Sequence, residues 1–332
     1  MVGGTIVTPA RRAPVRASLA WILVIPFAVW AVARVAGLER GGPLTQVMSA
    51  TPYVALGSLL PVLVAVFGRR PVAACVAVVT TVALASCVLP RAFGDGAVAG
   101  GRPFTVLSVN LLAGRADPAA LVDLVRRVRP DVLSAQELTP EAVDRLDGAG
   151  LGGMMPYRDL QAERGVFSRH PLTGSVVSLP GGGRVEVLAV HPPQPTSENL
   201  ERWRTALAAL PSASVEIPRI LAGDFNATLD HAALREVLAR GYTDAADRAG
   251  AGLVPTWPAN ARLPPMITID HVLVDARVGV REVGVHTLPG TDHRAVVARL
   301  ELPQEGAGVV PAFETGVQAE DVVRGTQAVP AG

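Results

Sequence analysis

The chain has no lysine and only two cysteines, and 4% of its residues are aromatic. Both cysteines, Cys75 and Cys87, fall in one apolar run, and the sequence after residue 90 has none. That later part therefore has no disulfide, no thiolate metal site and no cysteine nucleophile. It can work in an oxidising compartment without disulfide chemistry. Other absences narrow the chemistry further. There is no HExxH and no Cys–His ligand spacing, so zinc is unsupported. There is no GxSxG elbow for a serine nucleophile. The Gly-rich stretches at 94–101 and 181–183 lack the lysine of a phosphate-binding loop and read as linker and turn.

Charge is missing over long stretches. Residues 41–68 and 71–90 carry no charged side chain, and residues 18–38 carry only Arg34. A helix needs about 20 apolar residues to cross a bilayer core. Three transmembrane helices are therefore expected, near 18–38, 47–68 and 71–90. A cleaved signal peptide is the competing reading of the first, because Arg11, Arg12 and Arg16 precede it; two spans would still come after it. Arg11, Arg12, Arg16, Arg69 and Arg70 fall on one side of three spans, which the arginine bias assigns to the cytoplasm. Arg34, Arg40, Arg91 and Arg102 fall on the other side, so the bias is modest. The expectation is a multi-pass protein of the cell membrane with a cytoplasmic N-terminus and everything after residue 90 outside.

The sequence beyond the apolar region is organised differently. Residues 91–103 are small and Gly-rich, as a linker would be. Residues 104–302 alternate strand and helix patterns over about 200 residues, a usual size for one core. Strands are expected at 104–110, 131–138, 165–168, 173–178, 184–191, 219–226, 267–275, 276–286 and 294–302. Helices are expected at 117–131, capped by Asp117, and at 196–210 and 230–240. The mixed order, with hairpin-like neighbours late in the chain, favours an α/β sandwich over a doubly wound sheet. Residues 303–332, rich in Gly, Pro, Val and Ala, read as a disordered tail.

Polar residues gather at the ends of these apolar strands: Asn110, Gln136 with Glu137, His191, Asp224 with Asn226, and Asp270 with His271. Thr291–Asp292–His293 precedes the last strand. One such residue is usually a turn former; six clusters in one domain suggest a site on strand-end loops. Their types suit a hard divalent cation and a phosphate. Glu137 offers the kind of carboxylate that Mg²⁺ takes alongside waters and phosphate oxygens. An imidazole oriented by a carboxylate suits acid catalysis or charge stabilisation. His271 comes directly after Asp270 on a strand, so the two point to opposite faces, and it is expected to be packed or hydrogen-bonded. His170 reads as a surface turn residue, His231 as a solvated residue of a first helical turn and His286 as structural. Trp257 suits the site's lining or the core equally.

The motifs SVNLL (108–112), SAQEL (134–138), AVHPP (189–193), LAGDFNAT (221–228), TWPAN with IDHVLV (256–260, 269–274) and GTDHRAV (290–296) stand in this order. Together they resemble the endonuclease/exonuclease/phosphatase superfamily over roughly 104–302. The resemblance implies a four-layer α/β/β/α sandwich with two facing sheets. It also implies a metal-dependent phosphoric ester or pyrophosphate hydrolase using Mg²⁺, with Mn²⁺ as the alternative. Glu137 would ligate the metal, with Asn110 and Asp292 supporting it or its water. Asp224 would position or deprotonate the attacking water, and Asn226 would hydrogen-bond the phosphate. His293 would face the phosphate with Asp270 fixing its tautomer, and His191 would serve as general acid or oxyanion donor. Arg164 would contact the substrate phosphate, and Gln136 would support its neighbour.

The substrate class is approached through charge and the apolar region. Residues 104–302 carry 20 Arg against 23 Asp plus Glu. A sequence-independent nuclease usually shows a basic footprint, so nucleic acid is disfavoured. A membrane tether points to a lipid-linked phosphate, whose effective concentration at the site would be high. The layout also resembles actinobacterial membrane proteins of the teicoplanin-resistance type. That likeness implies an undecaprenyl-type cell-wall carrier as substrate and a role in glycopeptide resistance. The alternatives are an extracytoplasmic membrane-anchored nuclease and a non-catalytic membrane protein that binds antibiotic or precursor. No protein partner is indicated.

Overall fold

The computed structural model describes residues 14–94, 100–259 and 264–303. Arg11 and Arg12, the centre of the Gly-rich stretch and the tail beyond residue 303 lie outside the described residues.

The apolar region forms α1 (Pro14–Ala36), α2 (Gly42–Met48), α3 (Thr51–Gly57), α4 (Leu59–Phe67) and α5 (Pro71–Val88), with a 3-10 turn at Leu89–Ala92. Small residues line the contact among α1, α4 and α5: Ala20, Val24, Ala65, Ala73 and Ala77 are buried together. Small side chains let apolar helices approach closely. Their outer faces expose Ile22, Ile25, Val29, Leu60, Leu63, Val79 and Val82. Among the described residues one helix, Pro71–Ala92, is long and apolar enough to cross a membrane, with a mean hydropathy of 2.5. The apolar helix Ala20–Ala36 is shorter.

The expected span at 47–68 is not one straight helix. Gly42–Met48 and Thr51–Phe67 meet the length and hydropathy requirement only together, and they are bent by 66° at the break between them. Pro52 sits at the start of α3, where its missing N–H and fixed φ favour a new helix over a continued one. Pro61 likewise cannot bond back to Gly57, where α3 gives way to α4.

The second half builds two six-stranded sheets. Its strands are β1 (Arg102–Asn110), β2 (Val132–Gln136), β3 (Tyr157–Gln161), β4 (Arg164–Ser168), β5 (Leu172–Thr173) and β6 (Val176–Ser178). They continue as β7 (Arg184–Val190), β8 (Arg219–Asp224), β9 (Tyr242–Asp244), β10 (Asp270–Asp275), β11 (Gly279–Thr287) and β12 (Arg294–Leu302). The helices are α6 (Pro118–Val128), α7 (Pro140–Gly148), α8 (Leu151–Met154), α9 (Leu200–Ala208), α10 (Ala232–Leu238) and α11 (Ala245–Arg248). The first sheet runs β11-β12-β1-β2-β4-β3 and the second β5-β6-β7-β8-β10-β9.

Side-chain alternation along each strand sets the layers. Val106, Val132, Ile220, Val272 and Val274 point between the sheets into one shared core. Their neighbours Leu107, Leu133 and Ala135 point the other way, onto Leu121 and Val125 of α6. Leu221 and Leu273 point outward from the second sheet onto Trp203 and Leu207 of α9 and Leu234 and Val237 of α10. The result is a mixed α/β sandwich layered helix, sheet, sheet, helix. Asp117 caps α6 through Ala119 and Ala120, as its sequence position suggests.

Topology gathers the polar strand ends. β1 and β2 are parallel, with Asn110 beside Gln136. β7 and β8 are parallel in the other sheet. β10 runs antiparallel to β8, setting Asp270 opposite Asp224. β4 runs antiparallel to β2, setting Arg164 opposite Gln136. The C-terminal ends of the parallel strands and the N-terminal ends of their antiparallel partners therefore share one edge of the sandwich.

Candidate active site

Asn110 lies at the centre of this edge. Its Nδ2 donates to Glu137 Oε1 at 2.9 Å and to Asp224 Oδ2 at 3.1 Å, while its Oδ1 accepts from the Leu112 amide at 2.9 Å. One buried amide thus bridges a carboxylate from each sheet. Thr291 Oγ1 donates to the Asn110 carbonyl at 2.8 Å, which ties the 291–293 segment to the same point. Glu137, just past β2, has a left-handed φ of 51°. That turn aims its carboxylate at the edge, where the Ala113 amide also donates to Oε2 at 2.7 Å.

Asp224 and Asn226 occupy the turn after β8. Asp224 Oδ1 accepts from the Asn226 amide at 2.8 Å, and Asn226 takes a φ of 49°. Asn226 Nδ2 donates to the Pro192 carbonyl at 3.0 Å, which leaves its second hydrogen for another acceptor. His191, at the end of β7, sets Nε2 3.8 Å from Glu137 and 3.9 Å from Asp224.

His293 completes the cluster. Its Nδ1 lies 3.0 and 3.1 Å from the two oxygens of Asp270, and its Nε2 is 3.7 Å from Asp224 Oδ2. Asp292 Oδ2 accepts from Trp257 Nε1 at 3.1 Å, so Trp257 lines the site. Thr256 Oγ1 accepts from the amides of Ile269 and Asp270 and fixes the start of β10. The TWP motif marks this neighbourhood in the sequence, but the bracing role of Thr256 is not readable from it.

The electrostatics separate the two histidines. Burial would lower the pKa of His293, but the charge and hydrogen bonds of Asp270, with Asp224 and Asp292 nearby, raise it to about 9. It is an imidazolium at neutral pH. His191 is pushed down by burial, with Glu137 opposing, and is neutral. Asp224 is pushed up to about 7, first by burial and then by the neighbouring charge of Asp270. A carboxyl poised near neutrality is suited to proton transfer.

Two groups of side chains could meet a cation. The tightest is Asp224, Asp270 and His293, whose ligand atoms lie within 4.8 Å of one another. Its imidazole is already engaged by Asp270 through Nδ1, so this group reads as a hydrogen-bonded acid–base cluster. The other is Glu137 and Asp292 with Asn110. Asp292 Oδ1 is buried without a hydrogen-bond partner among the described residues. An orphaned buried carboxylate oxygen is a donor that a hard divalent cation takes. Glu137 and Asp292 are oxygen donors of the kind such an ion takes, while Asn110 turns its Nδ2 to Glu137 and its Oδ1 to Leu112 and so supports the carboxylate by hydrogen bonding.

Arg164 lies apart from the cluster. It is exposed at the start of β4, makes no side-chain hydrogen bond to the cluster among the described residues, and reaches it only through its charge at His191. Gln136 is buried and donates to Ser134 Oγ at 2.8 Å, a supporting contact. His271 is buried on the opposite face, between Asp244 at 2.7 Å and the Ala227 carbonyl at 2.8 Å. Two expectations are corrected. His170 is not a free surface residue: its Nε2 lies 2.8 Å from Asp131, in a half-buried contact. His231 is not solvated: it is buried, with Nε2 2.8 Å from the Thr45 carbonyl, because α2 lies across it.

Residues 107–293 match the profile of the Endonuclease/Exonuclease/phosphatase family. Among solved structures, an endonuclease/exonuclease/phosphatase from Beutenbergia cavernae DSM 12333 is 20% identical, with 61% of this chain and 72% of that one covered and a TM-score of 0.48. A counterpart from Bacteroides vulgatus is 16% identical over 60% and 99% of the two chains, with a TM-score of 0.47. A humanized D. rerio TDP2 is 18% identical over 60% and 99%, with a TM-score of 0.46. No curated protein sequence matches. The family profile spans more than half of the chain and takes in each of the strand ends that meet at this edge; the chain therefore belongs to the endonuclease/exonuclease/phosphatase family of divalent-metal-dependent phosphoester hydrolases.

Proposed function

We propose that this hydrolase is tethered in the cell membrane by its N-terminal helices and acts outside the cytoplasm on a lipid-linked phosphate or pyrophosphate. A cell-wall carrier of the undecaprenyl type is the substrate we favour. In this reading α1, the bent α2–α4 segment and α5 are three passes, with the N-terminus in the cytoplasm. A part in teicoplanin tolerance belongs to the same proposal.

The observation that carries it is the continuity between the apolar helices and the site's rim. Tyr53 of α3 donates its hydroxyl to the Met266 carbonyl at 2.6 Å. Met266, Leu253 and Val254 are exposed beside it. The Met266–Ile267 segment runs antiparallel to Trp257, whose indole holds Asp292. An acyl or prenyl chain lying along α3 would bring its phosphate to this rim. The slightly acidic domain gives no comparable support to a nucleic-acid backbone.

The roles rest on the geometry. Glu137, Asp292 and Asn110 would hold the cation, Mg²⁺ or Mn²⁺, which supplies charge neutralisation at the phosphoryl oxygens. Asp224 accepts a proton from a water aimed in line at phosphorus. The His293 imidazolium, held by Asp270, donates to a phosphoryl oxygen on which charge grows. His191, neutral, donates from the facing side, and the free hydrogen of Asn226 Nδ2 adds a further bond. Arg164, exposed beside the site, would contact the substrate phosphate only from the periphery. The carboxylates activate water, so the mechanism needs no covalent enzyme intermediate.

The test is phosphate release by full-length protein in detergent from farnesyl and undecaprenyl pyrophosphates, compared with DNA and RNA. The proposal expects Mg²⁺-dependent release from the prenyl compounds, abolished in Glu137→Ala. Degradation of DNA or RNA with the prenyl compounds untouched would replace it with the nuclease reading.

A further inference from the structure

The N-terminal helices grip one segment of the sandwich. Arg34 of α1 and Arg91, in the turn after α5, converge on Asp230, which lies between β8 and α10. Arg91 Nη1 donates to Asp230 Oδ2 at 2.9 Å and its Nη2 to Oδ1 at 2.6 Å. Arg34 Nε donates to Oδ1 at 2.7 Å and its Nη2 to the Leu229 carbonyl at 3.1 Å. The exposures of Arg34, Arg91 and Asp230 are 6%, 6% and 0%. The next residue, His231, reaches Thr45 of α2. The one after it, Ala232, donates its amide to Glu39. Four separate parts of the helical region, α1, the α1–α2 connection, α2 and the turn after α5, thus hold consecutive residues of one stretch.

That stretch is continuous with the reacting groups. It begins at Asp224 and Asn226. Ala227 is held from below by His271 Nε2. The Thr228 amide donates to His231 Nδ1 at 2.8 Å, which links the gripped end back toward Asn226. Asn226 has a left-handed φ of 49°, which asparagine tolerates in turns, and its side chain is tied to the Pro192 carbonyl. A buried ion triad is a poor way to gain stability, since apolar residues of like volume serve as well or better. What it does provide is a fixed direction.

We infer that Arg34, Arg91 and Asp230 are positioning residues for hydrolysis: they lock the 224–231 segment to the N-terminal helices, so the helical region is part of the active site's framework and not a detachable tether. This inference rests on the hydrolytic reading of the strand-end site and is independent of the lipid substrate. None of the three residues touches the reacting atoms.

The test uses full-length protein in detergent and the generic diester bis(p-nitrophenyl) phosphate with Mg²⁺. The triple variant Arg34→Met, Asp230→Leu, Arg91→Met removes the three triad charges together, so no member of the triad is left buried without its partners, and Glu39 keeps Arg235 and Arg204 nearby. It is expected to melt cooperatively and to lose about tenfold or more in kcat, with KM within about twofold, since small misplacements at a reacting centre are costly. Arg91→Lys keeps the charge without the two-pronged fork and is expected to fall between the triple variant and wild type. Amide exchange supplies a readout without turnover: residues 224–231 should lose protection in the triple variant while β1 and β2 keep theirs. If the triple variant does not melt cooperatively, the same two readouts on Arg91→Lys decide. Wild-type kcat together with wild-type protection of 224–231 in a folded variant overturns the inference. Lost protection in a chain that hydrolyses no phosphate ester would keep the mechanical coupling and remove the hydrolytic reading instead.

Discussion

Asp224 and His293 face each other with their proton affinities displaced in the same direction but for different reasons. Asp224 is raised by burial and by Asp270. His293 is raised by the carboxylates around it, against its own burial. If Asp224 must be ionised to take the water's proton and His293 protonated to meet the phosphoryl oxygen, activity rises with pH through about 7 and falls through about 9. A kcat/KM profile should therefore be bell-shaped, and His293→Ala should flatten its alkaline limb while lowering the rate by roughly 10²–10³-fold. A profile with no alkaline limb in the wild type would remove the imidazolium from the mechanism. Most of these residues were legible in the sequence because each stands at one end of an apolar strand, Asp224 closing β8 while Asp270 opens β10 and His293 precedes β12, and a strand end limits where a side chain can go. His231 was not legible. Its partner is a carbonyl 186 positions away, and nothing local distinguishes it from a solvated helix-start histidine.

Within the elements, Gly223 decides how closely two strands can lie. A Cβ there would sit 1.9 Å from the Val190 carbonyl oxygen of the parallel neighbour β7. The glycine before Asp224 in LAGDFN thus permits the approach of β7 and β8 that brings His191 beside Asp224. Gly223→Ala is expected to cost about 1–3 kcal/mol or more through overpacking, and to lower activity beyond what the lost stability explains; a chemical denaturation series with parallel rate measurements checks both. The helix boundaries carry a related lesson. An uncharged run at 47–68 predicts a span, but run length does not report the direction of its axis: the bend falls beside Pro52, and α2 is held by the distant His231. Arg34 likewise reads as a lone charge in an apolar stretch until Asp230 is seen beneath it.

At the scale of the whole molecule, the two halves are joined by buried charge, and this gives stability a pH signature. Burial opposes ionisation of Asp230, but hydrogen bonds and charges from Arg91 and Arg34 outweigh it and hold its pKa below the ordinary value of 3.8. A depressed carboxylate contributes stability in full above its unfolded pKa and loses it as pH falls through the folded one. Melting of the full-length protein should therefore weaken below about pH 4, and Asp230→Asn should remove that dependence while costing about 3–5 kcal/mol, because two guanidinium groups remain buried. An Asp230→Asn protein as stable as wild type at pH 7 would contradict the account of this junction. The α/β sandwich was legible from the mixed order of strands and helices, and its four layers were what the family resemblance implied. The junction was not, because it depends on which distant charges meet once both halves are folded.

The most direct measurement is phosphate release by the purified full-length protein across phosphate esters and pyrophosphates, with Mg²⁺ or Mn²⁺ and then with chelator. Turnover that needs the cation and disappears in both Glu137→Ala and Asp224→Asn is the predicted result. A folded wild-type protein that leaves every ester intact, or one whose turnover survives both substitutions, would contradict the assignment of this strand-end cluster as the hydrolytic centre.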